Sequence, residues 1–148
     1  LIAASEPARE ILKIDGVGPR TAEIVAATID NPLRFKTRKD IGAYFGLVPR
    51  VSQSGGHCHH GTITKAGDSL ARTMLIEVVH SGIRRPGWIR DTYEKYLRKD
   101  PTRLKKAIAA TARRLVVILW AKMRDQRRSN PTITTLRDIP VSLHHHAA

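Results

Sequence analysis

Apolar positions along the chain recur mostly three and four residues apart, a spacing that predicts a mainly α fold. Ser5 can cap a helix from Glu6 to Lys13, with Ile11, Leu12 and Ile14 apolar. Gly16-Val17-Gly18 makes a tight turn, and Pro19 opens a second helix to about Ile29, with Ala22, Ile24, Val25 and Ile29 as its inward stripe. Asp30-Asn31-Pro32 ends that helix. Thr37 with Asp40 then reads as a capping-box variant that starts a short helix to Tyr44, closed by Gly46 as a left-handed cap. Pro49 forbids further helix, and Val51–Ser54 and His59–Ile63 are β-tolerant runs around Gly55-Gly56, which predicts a small irregular hairpin.

Beyond it, Asp68 is a good N-cap for a helix to about Ile83, with Leu70, Met74 and Val78 on one face and Ala71, Leu75 and Val79 beside them. Pro86-Gly87 breaks the chain before a helix from Trp88 to Arg98, with Ile89, Tyr93, Tyr96 and Leu97 inward. Thr102 is a candidate cap for the last helix, Arg103 to about Asp125, which carries Leu104, Ile108, Ala112, Leu115 and Leu119. Its run Val116–Trp120 is apolar on nearly every side and marks the central core helix, and both Trp88 and Trp120 read as core residues. The expected organisation is one domain over residues 1–126, a helix-hairpin-helix followed by a helical bundle with one small β-hairpin, and a loosely ordered tail over 127–148.

Charge narrows the function. Lys and Arg outnumber Asp and Glu by 26 to 13, leaving +13. Such an excess points to a polyanion, most commonly nucleic acid. A membrane surface is the competing partner, but no long apolar span or lipidation signal supports it. The single cysteine, Cys58, excludes an internal disulfide and suits a reducing cytoplasm. No signal peptide is visible at Leu1-Ile2-Ala3-Ala4, and the lack of an initiator Met suggests a fragment of a longer protein.

Two places carry candidate chemistry. In the turn before the second helix, Gly16 and Gly18 let the backbone approach a phosphate, the free N–H groups at the helix start can bind it, and Arg20 and Thr21 can assist. Contacts of this kind hold DNA without reading bases. A helix pair used only for packing, or turned toward another protein, is the plain alternative. Arg34, Lys36, Arg38 and Lys39 crowd the next connection and either track a backbone or form a solvated loop. The second place is Gly46 to Arg72, where Ser54 precedes two glycines and Arg50, His57, His59, His60, Lys65 and Arg72 offer positive charge for a phosphodiester. A serine before Gly-Gly is ordinarily a turn former, and physics alone does not separate Ser54 from Ser52.

Other chemistries fit poorly. His57-Cys58-His59-His60 puts four adjacent ligand types on one loop, whereas structural zinc uses separated ligand pairs. The 13 acids form no set suited to two-metal phosphoryl transfer, and no G-x-S-x-G elbow is present.

Several motifs occur together: Ile14-Asp15-Gly16-Val17-Gly18-Pro19, Ala43-Tyr44-Phe45-Gly46-Leu47-Val48-Pro49, Ser54-Gly55-Gly56 and His60-Gly61-Thr62-Ile63-Thr64-Lys65-Ala66-Gly67. In this order and spacing the chain resembles, from about Leu12 to Arg124, the C-terminal domain of the DEDD insertion-sequence transposases. These are the 116/110/902-type, or one-ten, family, related to the Piv/MooV DNA invertases. The resemblance implies that Ser54 is the nucleophile, and Arg50, Lys65 and Arg72 are then the candidates for orienting the phosphate. It also implies a RuvC-like N-terminal domain, absent from this chain, whose four acidic residues bind magnesium. DNA is then the partner, with a structured guide RNA and homo-oligomerisation as family possibilities, and the setting is cytoplasmic. The run from His57 to His59 departs from the Lys or Arg of many relatives, which makes the charge of the loop depend on pH. A non-catalytic helix-hairpin-helix module that clamps DNA or RNA, or mediates assembly, is the alternative reading.

Overall fold

The computed structural model describes residues 5–54 and 56–131, and for residues 51–54 and 57–60 the backbone alone. Among the described residues it contains six α-helices, a short 3-10 turn and one two-stranded antiparallel sheet. In chain order these are α1 (Glu6–Leu12), α2 (Pro19–Ile29), the 3-10 turn (Pro32–Arg34), α3 (Arg38–Tyr44), β1 (Pro49–Ser54), β2 (His57–Ile63), α4 (Ser69–Gly82), α5 (Trp88–Lys99) and α6 (Leu104–Ser129). The mainly helical fold with one hairpin is borne out.

The helix starts follow the local signals. Ser5 Oγ accepts from the Ala8 N–H at 3.4 Å, and Asp68 Oδ1 accepts from Leu70 and Ala71 at 2.8 and 3.0 Å. At α3 the box is reciprocal: Asp40 N–H donates to Thr37 Oγ1, and Thr37 N–H donates to Asp40 Oδ2 at 2.8 Å. That backbone bond from Thr37, with its side chain, holds the Asp40 carboxyl below the usual range. Thr102 does not cap α6. Its hydroxyl bonds Asp100 Oδ1, and the N-cap position is Arg103, without a side-chain cap bond.

α6 is the common wall of the molecule. It packs against α1, α3, α4, α5 and the 3-10 turn, burying Ala107, Ala112, Leu115, Val116, Leu119, Trp120 and Met123. Trp120 is in the core as expected, and its Nε1–H donates to Pro32 O at 2.8 Å. Trp88 is only partly buried, packed against the core with its Nε1–H on Asp15 O at 3.4 Å. Three expectations shift. Leu70 and Leu104 are 50% and 52% exposed, because each sits in the first turn of its helix, at the edge of the packed face. In α2 it is Thr21 and Ala26, not Ile24, that join Ala22, Val25 and Ile29 in the buried set. Residues 127–129 belong to α6 rather than to a tail, and the expectation of a loose tail over 132–148 lies outside the described residues.

The α4–α5 corner is tight. An added Cβ on Gly82 would stand 2.7 Å from Cγ2 and 2.8 Å from Cδ1 of Ile89, a residue buried to 4% exposure. Gly82→Ala is therefore expected to cost about 1–3 kcal/mol through overpacking, read as a lower urea midpoint at unchanged slope.

Candidate functional site

The predicted site residues fall into two groups. Gly16, Gly18, Arg20 and Thr21 lie at the α1–α2 turn, while Ser54, Arg50, His60, Lys65 and Arg72 belong to the hairpin or its base. α4 separates them. Its first turns carry Arg72 at the hairpin base, and its last residue, Gly82, sits under Ile89, whose Cδ1 lies 3.0 Å from a Cβ built on Gly16. The helix has fourteen residues and is about 21 Å long.

At the α1–α2 turn, Gly16 has φ +92, a conformation an L side chain rarely takes, and Gly18 faces open space. α2 begins at Pro19 with no side-chain cap bond at Gly18, so its first N–H groups are left to other partners. Arg20 is exposed beside them. Thr21, expected to assist, is instead buried at 6% exposure, because it faces the core side of α2. Sequence reasoning missed the opposite wall. The α4–α5 corner docks against the turn, leaving a cavity of about 330 Å³ lined by Asp15, Gly16, Gly18, Arg85, Gly87 and Trp88 among others. A Gly in the last turn of α4 shortly before the Pro86-Gly87 break was the sequence signal for it.

The hairpin is pinned at its root. β1 and β2 pair Pro49 with Ile63, shift register, then pair Val51 with His60, Ser52 with His59 and Ser54 with His57. An irregularity between Pro49 and Val51 is the bend that the two short runs foreshadowed. Ser54 thus ends β1 and His57 begins β2, with Gly56 at φ +78 in the turn. The side chains of Ser54, His57, Cys58, His59 and His60 lie outside the described residues.

Below the strands, Thr64 N–H donates to Val48 O at 3.0 Å, and Lys65 N–H donates to Gly46 O at 3.2 Å. Lys65 takes φ 55 to make that contact and stays exposed. Arg50 is exposed too, with its Nη2 on Thr64 O at 3.4 Å.

Arg72 was expected to orient a phosphate. It is buried at 9% exposure, and its Nη1 donates to Ala66 O at 2.7 Å and to Phe45 O at 3.3 Å. The guanidinium therefore joins the chain going into the hairpin to the chain coming out, and its role is to hold the root. Arg34 is exposed but engaged: its guanidinium lies 4.4 Å from the Phe35 and Tyr44 ring centres and donates to Ile29 O and Thr28 O. Lys36, Arg38 and Lys39 remain exposed. Among the described residues, no three His, Cys, Asp or Glu side chains come together as a metal site, and no helix is long and apolar enough to cross a membrane.

The chain is similar to transposases. The family model described as transposase IS116/IS110/IS902 matches residues 8–94, from α1 into α5. A probable family 20 transposase of Pseudomonas aeruginosa is 32% identical over 76% of this chain and 34% of its own length. The transposase for insertion sequence element IS1328 of Yersinia enterocolitica is 28% identical over 80% of this chain and 36% of its own. A pilin gene-inverting protein of Moraxella lacunata is 29% identical over 77% and 36%. The chain belongs to the transposase IS116/IS110/IS902 family. It spans about a third of the length of the curated relatives it matches.

Proposed function

We propose that this chain is the DNA-holding, serine-bearing part of a DNA transposase, with Ser54 as the nucleophile. The observation that supports this most is the pinned hairpin. Ser54 ends the first strand of a hairpin whose two flanking segments are tied together by backbone bonds and by Arg72, so the hairpin that carries it leaves the core from a fixed root. In the reaction, Ser54 Oγ gives up its proton and forms a bond to a backbone phosphorus while the bond from phosphorus to one deoxyribose oxygen breaks. That oxygen leaves as a hydroxyl, taking up a proton. A hydroxyl of the recipient strand then attacks the phosphoserine, restoring the serine and a phosphodiester without hydrolysis.

Magnesium in this proposal is bound by a separate RuvC-like domain. The α1–α2 turn is a helix-hairpin-helix clamp in this reading, holding a phosphate at the start of α2 through Gly16, Gly18 and Arg20. Guide RNA and self-association belong to the whole transposase in this proposal.

The test uses a transposase of full family length carrying this segment, with magnesium and its own DNA ends. Wild type, Ser54→Ala and Ser52→Ala are compared for recombinant product and for covalent DNA–protein adduct. Ser54→Ala alone should lose both while still retarding DNA, a fall of at least about 10³-fold. Full product from Ser54→Ala would leave the domain a basic clamp.

A further inference from the structure

With Arg72 turned inward, a different arginine stands at the hairpin root. Arg113 lies on α6, next to Ala112 and two residues before Leu115, both fully buried. Its Cγ and Cδ are 3.3 Å from the point where a Cβ on Gly42 would stand, and Cγ1 of Val48 is 3.6 Å from the same point. The arginine stem therefore packs on α3 next to the residue that leads into β1, and glycine at 42 is what makes room for it. The side chain is half-buried. No hydrogen bond or ion pair to any described residue engages it. Five N–H donors begin one bond beyond Cδ, in a fork whose geometry matches a phosphate.

Its setting differs from that of Arg50 and Lys65, whose side chains are exposed. The Arg113 stem rests against Gly42 on the most deeply packed helix, so contact with a ligand immobilises less of it.

We propose that Arg113 is a phosphate-binding residue, receiving a backbone phosphate of the DNA that lies across the serine hairpin. This rests on the reading of the chain as the DNA-holding part of a transposase. The experiment titrates the 148-residue chain with a short labelled duplex at several salt concentrations, comparing wild type, Arg113→Gln, Arg113→Lys and Lys122→Gln. Lys122 is an exposed cation nearer the other end of α6 and serves as the control.

Arg113→Gln should bind at least about tenfold more weakly, and the slope of log affinity against log salt should shrink by about one. Arg113→Lys should keep the slope and lose affinity several-fold, because an ammonium cannot make the paired contact. Lys122→Gln should bind like wild type. Unchanged affinity and slope in Arg113→Gln would overturn the proposal. Should that variant lose its helical signal in circular dichroism, Arg113→Lys decides: a several-fold loss supports the proposal and wild-type affinity overturns it. A wild-type chain that binds no duplex at low salt would overturn the DNA-holding reading as well. Wild-type binding with indifferent Arg113 variants sinks only the role of Arg113.

Discussion

Alanine at Gly67 is expected to unlock the root of the hairpin. The new Cβ would stand 2.1 Å from Tyr44 O, far inside contact distance, at a backbone φ of +74. Gly46 mirrors it from the other side, with φ +67 and a Cβ position 2.3 Å from Ala66 O and 2.5 Å from Ala66 N. The opposing atoms are backbone, so no side chain can swing away. The left-handed conformation alone costs an L residue about 1–2 kcal/mol, and the collision adds about 1–3 kcal/mol more. Each variant should lose about 2–5 kcal/mol of stability by urea unfolding. Amide exchange over residues 49–63 should accelerate more than in the helical core, because the loss falls on the segment that ties the strands down. Wild-type exchange in the hairpin of either variant would show that the two flanking segments do not depend on each other.

The second large effect is expected at Trp120. Its ring is 2% exposed, its Nε1–H is given to Pro32 O at 2.8 Å, and Arg124 lies over its face at 4.8 Å. Trp120→Ala removes the largest fully buried side chain and should cost about 3–5 kcal/mol. Trp120→Phe separates the causes. It keeps most of the apolar volume but strands the buried Pro32 carbonyl, at about 1–3 kcal/mol. In both variants the 3-10 turn loses its anchor, and with it the platform on which Arg34 rests against Phe35 and Tyr44. Guanidinium unfolding followed by circular dichroism measures the loss. A Trp120→Phe variant as stable as wild type would mean that the Pro32 carbonyl finds water or another donor.

What the sequence revealed and what it concealed divide by the range of the forces involved. Ser5, the Thr37–Asp40 box, Asp68 and Gly46 were legible because a cap is decided within four residues of itself. The core stripe of α6 was legible because its periodicity is regular. Burial of Thr21 and Arg72 was not, since both are polar residues near a charged or glycine-rich segment and only the tertiary arrangement turns them inward. Arg72 in particular finds its two acceptors 27 and 6 residues away. Arg113 escaped notice for the opposite reason. In the sequence it is one of a basic pair in a helix, and its significance depends on a glycine 71 positions earlier that the fold lays beneath it. The wall that the α4–α5 corner adds to the first turn was hidden in the same way.

The placement of α6 also has a consequence for how the chain comes to be folded at all. Trp120 closes on Pro32 across 88 positions, and Gln126 reaches Glu6 across 120. On a ribosome adding 5–20 residues each second, the segment around Pro32 waits roughly 4–18 s for its partner to be made. During that interval the faces of α1, α3 and α4 that pack on α6 have no wall to lie against. The nascent chain is then a ready client for chaperones that hold exposed apolar segments, and completion comes in one late step as the last helix emerges.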